Sequence, residues 1–152
     1  MTDALAPFGQ VVLAIRWGTT AISLALASPE IQDGNAGLAA CVFALFAYSA
    51  YRTWRPLGYD RPIASMALLV AEVACTALAV ALTGFWESPL VFSMLTAVAV
   101  AGFARGFGFG IRVAVATVVA VTLSWALQDS PTDDDRLRTS AEWGGEVLLV
   151  AV

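Results

Sequence analysis

Apolar residues fall into six runs separated by short polar breaks. The first extends from about Phe8 to Ala27 and meets Ser28-Pro29; the second extends from about Ala36 to Trp54 and meets Arg55-Pro56. The third opens at Pro62, a favoured first-turn position for proline, and reaches about Thr83. The fourth covers about Pro89 to Ala104, the fifth about Phe107 to Leu127, and the sixth Ala141 to Val152. A helix of about 20 apolar residues crosses the hydrocarbon core of a bilayer. The pattern therefore predicts an all-α integral membrane bundle of six helices, one domain over residues 1–152.

Two ionisable residues break the apolar pattern from within. Arg16 interrupts the first run and Glu72 the third. A lone charge in hydrocarbon costs at least about 2.5–3.5 kcal/mol on insertion scales, so such residues face a protein interior, find a partner and tend to mark function. If both runs enter from the same side, each charge lies roughly 12–14 Å deep at about 1.5 Å rise per residue. Equal depth and opposite sign make them candidate partners. Arg16, Thr20 and Ser23 recur at helical spacing with Thr19 beside them, and Ser65, Glu72, Thr76 and Thr83 line one face of the third helix. Two such stripes facing each other would satisfy hydrogen bonds in an apolar solvent. A structural pair that fixes packing and a ligand pocket or switch that biases two packings are both compatible with this pattern.

Composition supports the membrane reading. The chain is 59% hydrophobic and only 13% charged, against about 25% charged residues in an average soluble domain. All eight basic residues are arginine and histidine is absent, a bias expected of a GC-rich bacterial genome. Cys41 and Cys75 both fall in apolar runs and read as small core hydrophobes. Without histidine or a cysteine cluster, haem and zinc ligation are disfavoured and Ser, Thr and Cys lack their usual activating base. No catalytic residue, metal ligand or cofactor is assigned, and no nucleic-acid partner is expected. Asp133-Asp134-Asp135 reads as a solvated loop, since consecutive aspartates point in different directions and calcium wants six or more oxygens from a shaped loop.

Charge placement orients the helices. Arg52, Arg55 and Arg61 flank the second connection and Arg105 and Arg112 the fourth. Glu30, Asp33, Glu87, Asp129 and the aspartate run lie in the odd connections, with Arg136 and Arg138 as the exceptions. The positive-inside rule then predicts cytoplasmic N and C termini, with Trp86, Trp125 and Trp143 at the outer interface and Trp54 at the inner one. Ala25-Leu26-Ala27 resembles a signal cleavage site, but no positive charge precedes the run and Arg16 lies inside it, contrary to signal-peptide design. From Ala141 to Val152 the last helix spans only about 18 Å, short of a core of roughly 30 Å. This predicts a polypeptide that continues beyond Val152.

Three further features carry expectations. Trp86, Glu87, Glu142 and Glu146 form a candidate outward-facing sensing site, with Gly144-Gly145 opening a wet region around Glu146. Ala71, Cys75, Ala79 and Thr83 recur at spacing four and permit close helix approach. Gly102, Gly106 and Gly110 surround a short turn in which glycine relieves backbone strain, and Phe103, Phe107 and Phe109 are placed to anchor it.

The segment from Trp86-Glu87-Ser88-Pro89 to Ala101-Gly102-Phe103-Ala104-Arg105-Gly106 resembles the multi-pass N-terminal input region of actinobacterial sensor histidine kinases. The Arg16-Trp17 pair and the Tyr51-Arg52-Thr53-Trp54-Arg55-Pro56 exit are similar as well. The resemblance implies a homodimeric two-component kinase of the cell membrane whose cytoplasmic core and response regulator lie beyond this chain, so that the chain itself is non-catalytic. A membrane or outer-face stimulus, with short outer loops favouring a lipid or amphiphilic small molecule, would act through Arg16, Thr20, Glu72 and Thr76 or the outer residues. A small-solute-binding subunit of a membrane transporter is the alternative compatible with six helices and both ends inside.

Overall fold

A computed structural model describes residues 6–54, 62–128 and 134–150, with side chains over 10–54, 66–127 and 138–150. The side chains of Arg55, Arg61, Ser65, Asp129, Arg136 and the aspartate run lie outside the described residues. The described chain is all-α: α1 Ala6–Gln32, α2 Ala36–Trp54, α3 Pro62–Leu82, a 3₁₀ turn Phe85–Glu87, α4 Val91–Arg105, α5 Phe107–Gln128 and α6 Asp134–Val150. Three described stretches are long and apolar enough to cross a membrane: Gln10–Gln32, Ala36–Trp54 and Phe107–Leu127. The apolar stretches Met66–Leu82 and Val91–Arg105 are shorter.

Two element boundaries differ from the sequence expectation. α1 does not stop at Ser28-Pro29 but continues to Gln32. Proline removes the N–H that would reach the Ala25 carbonyl, and the Ser28 hydroxyl donates to that carbonyl instead, at 2.9 Å. The helix ends one turn later at Gly34, whose φ of 95° is open to glycine without strain. The Asn35 N–H reaches the Glu30 carbonyl and the Gly34 N–H the Ile31 carbonyl, both at 3.1 Å, a Schellman closure. Asn35 then caps α2, its side-chain oxygen accepting from the Leu38 N–H at 3.1 Å. The sixth helix begins at Asp134 rather than near Ala141. Asp134 and Asp135 open this helix instead of lying in a loop.

α4 is the centre of the fold. It packs against α1, α3, α5 and α6, and its residues Val91, Met94, Ala97, Val98 and Ala101 are buried. A short helix that is apolar nearly all round belongs in such a position. Only Gly106 separates α4 from α5, with φ 87°, and its N–H donates to the Gly102 carbonyl at 2.7 Å. α6 docks through Trp143, Gly144 and Val147: the Trp143 and Phe92 rings meet edge-to-face at 6.3 Å, and Val147 is fully buried. A Cβ on Gly144 would come within 3.2 Å of a Val118 methyl group, so this glycine closes a helix contact rather than opening a wet region.

Polarity is arranged inside out. Phe43, Leu78 and Leu123 are 72%, 60% and 56% exposed, whereas Arg16 and Glu72 are 7% and 8% exposed. Large apolar side chains on the rim, with two charged ones buried beside an otherwise apolar core, suit a hydrocarbon solvent. The same logic corrects the reading of the cysteines: Cys75 is exposed and Cys41 half-buried, because an apolar face needs no burial when lipid surrounds it. Trp86 is buried in the core instead of facing an interface, Phe85 stacks on Trp125 beside it, and Trp54 projects outward with 89% exposure.

Replacing Asn35 with alanine removes the cap of α2 and is expected to cost about 1 kcal/mol. The check is a lower unfolding midpoint in a denaturing-detergent titration followed by circular dichroism, with helix content before unfolding unchanged.

Candidate functional site

The stripe Arg16, Thr20, Ser23 and Ala27 repeats at steps of four, three and four, and all four residues are buried. Among the described residues of α3 the buried positions are Leu69, Glu72, Val73, Thr76 and Val80, again one helical face. The two faces meet. An Arg16 Nη2–Glu72 Oε1 contact of 2.5 Å joins α1 to α3, and the Tyr48 hydroxyl of α2 donates to Glu72 Oε2 at 2.6 Å. Both carboxylate oxygens are thereby held. The Arg16 guanidinium carbon lies 5.3 Å from the Tyr48 ring centroid and that of Arg52 lies 5.8 Å from it, within cation–π range.

Hydroxyl groups extend this clamp. Thr20 and Ser49 join α1 to α2 at 3.1 Å, Ser23 and Ser93 join α1 to α4 at 3.1 Å, and Thr96 donates to Thr19 at 3.0 Å. Thr20 also donates to the Arg16 carbonyl and Thr76 to the Glu72 carbonyl. Polar bonds between membrane helices average about 0.6 kcal/mol each, so the three interhelical hydroxyl contacts contribute roughly 2 kcal/mol together and serve chiefly to leave no polar group unmet. Around Arg16, Glu72 and these hydroxyls lies a chamber of about 20 Å³, room for about one water.

A second cavity opens outward. α2 lies along α1, leaving between α2 and α3 a groove of about 430 Å³ with an almost wholly apolar lining. Ala71, Cys75 and Ala79 therefore line an open groove rather than a tight helix crossing. Tyr48, Glu72 and Thr76 border both the groove and the chamber.

Of the residues singled out from the sequence, Arg16, Thr20, Glu72 and Thr76 come together. Trp86, Glu87 and Glu146 line neither cavity: Trp86 is buried, with its Nε1 unpartnered, and Glu87 and Glu146 are exposed. Glu142 forms a surface pair with Arg138 at 2.9 Å. Sequence reasoning missed Tyr48, Ser49, Ser93 and Thr96. The available signal was the polar positions inside the second and fourth apolar runs, with Tyr48 and Arg52 one turn apart. Among the described residues no three His, Cys, Asp or Glu side chains are grouped to hold a metal ion. The assembly orients a buried ion pair across three helices.

No family model matches the chain, and no curated protein or solved structure matches it either.

Removing one partner of a buried ion pair costs about 3–5 kcal/mol, largely through the orphaned charge. Glu72→Gln is expected to fall in this range and to cost more than Arg16→Gln, because an orphaned carboxyl group has the option of binding a proton whereas a guanidinium cannot shed one. A double-mutant cycle on unfolding free energy checks this; additive costs would show the pair to be uncoupled.

Proposed function

We propose that this chain is a multi-pass, membrane-embedded input module of a two-component sensor kinase, with six membrane helices and both termini on the cytoplasmic side. A lipid or amphiphile is the stimulus. The observation that carries this reading is the Arg16–Glu72–Tyr48 clamp, which ties three helices together beside a lateral groove. A ligand that alters how α2 sits against α3 acts on Tyr48 first, and a ligand shifts an equilibrium only by its unequal affinity for two packings. A solute-binding transport subunit is a weaker fit: the polar chamber holds about one water, and the roomier groove offers a solute almost no polar partner.

A contiguous contact path connects the clamp to α6. Thr19 and Ser23 meet Thr96 and Ser93 on α4; Phe92, the neighbour of Ser93, packs on Trp143. In this reading α6 relays the change to a cytoplasmic kinase core and its response regulator, with the kinase core supplying the homodimer.

Tyr48→Phe removes one arm of the clamp without orphaning a charge. In native membranes carrying the full polypeptide, it is expected to change the steady-state phosphorylation of a kinase-core histidine about fivefold, the ratio given by a bias of about 1 kcal/mol. Phe92→Ala is expected to blunt the response to added amphiphile while leaving basal phosphorylation measurable. Absence of any ATP-dependent phosphorylation in those membranes would defeat the kinase reading.

A further inference from the structure

We infer that the groove between α2 and α3 holds one acyl chain of an anionic phospholipid, with the headgroup seated at Arg52. The inference deepens the input-module reading by naming the class of ligand and its site. Three observations carry it: the groove's shape, its lining and the charge at one end.

Leu68 and Leu82 both border the groove, and the fourteen residue steps between them extend about 21 Å along α3. This is roughly two thirds of a hydrocarbon core, so the groove runs with the bilayer depth, as a lipid tail does. Its volume of about 430 Å³ lies within the usual range of about 300–1,000 Å³ for small-molecule sites. Leu45, Leu68, Ala71, Cys75 and Leu78 make its walls apolar, and Tyr48 and Glu72 are already bonded to each other. A polar solute gains little from such a lining, whereas a hydrocarbon chain fits it.

Charge selects the headgroup. Arg52 lies one turn beyond Tyr48 toward the end of α2, and its guanidinium stands over the Tyr48 ring. Arg16 is matched by Glu72, but Arg52 has no carboxylate partner among the described residues. Among the described residues, the two guanidiniums of Arg16 and Arg52 against the one carboxylate of Glu72 leave one positive charge beside the Leu68 end of the groove. A phosphate there meets Arg52 in the geometry guanidinium favours, while its acyl chain descends past Tyr48 toward Cys41 and Leu82.

The test is native mass spectrometry of the full chain released from mixed micelles containing phosphatidylglycerol and phosphatidylcholine. Wild-type protein is expected to retain one phosphatidylglycerol in preference to phosphatidylcholine. Arg52→Gln should reduce that preference about fivefold, the effect of one basic residue on an anionic lipid surface. The double change Ala71→Leu and Cys75→Leu fills the groove from positions exposed to it and should abolish retention of both lipids, with the unfolding midpoint reporting that the fold survives. Equal retention of the two lipids, or retention unmoved by the groove-filling change, would overturn the inference. So would a protein dimer that the groove-filling change dissolves, because a second copy would then be the occupant. The measurement requires no kinase: intact lipid binding with no phosphorylation response would fault the signalling reading alone, and lost lipid selectivity with an intact phosphorylation response would fault the lipid site alone.

Discussion

The fold depends on a charge that the surrounding solvent does not accept. An arginine within an apolar helix has few outlets: it snorkels to the interface, draws in water, or finds an acid. Arg16 finds Glu72, and the contact fixes the rotation of α1 and α3 about their axes, since turning either helix separates the charges. Tyr48 takes the remaining carboxylate oxygen and so fixes α2 as well. The pair is better understood as a specification of geometry than as a source of stability, because the cost of taking two ions from water offsets much of their attraction.

That specification is local, and this gives the molecule two regions of different character. α4 is packed by apolar side chains of α1, α3, α5 and α6 and resembles the core of any close-packed protein. α2 is held along α1 and reaches α3 chiefly through the tip of Tyr48, with the groove on the lipid side. Few packed atoms join it to α3, whereas along α1 it is closely packed, with Leu38, Val42 and Ser49 buried and Phe46 against Trp17.

The sequence was informative wherever one solvent decided the outcome. The opposing pair Arg16 and Glu72 was legible because a charge in hydrocarbon leaves so few alternatives, and the Thr20 and Thr76 positions followed from helical spacing. The all-α class followed from run lengths alone. Apolar patterning failed where two solvents give the same signal: lipid and protein interior both accept Ala71 and Cys75, so spacing could not separate a tight crossing from an open groove. Trp86 was ambiguous for the same reason, since an indole suits an interface and a core alike. The end of α1 was missed because breaker residues were weighed without the Ser28 hydroxyl, which takes the carbonyl that Pro29 leaves unpaired. Tyr48 was overlooked because an aromatic residue in an apolar run looks like more of the run.

The groove and the clamp share residues. Tyr48 and Glu72 belong to the linings of both cavities, so whatever fills the groove changes the surroundings of groups that also hold Arg16. From Arg16 the hydroxyl contacts of the α1 stripe lead to α4, the element with the least freedom to yield, and from Phe92 to Trp143 on α6. In the proposed input-module reading α4, packed against both α1 and α6, moves as a body. Gly144 sharpens this, because its close approach to Val118 leaves α6 little room to adjust without sliding on α5. In that reading a shift passed into α4 emerges at the helices packed around it, α6 among them.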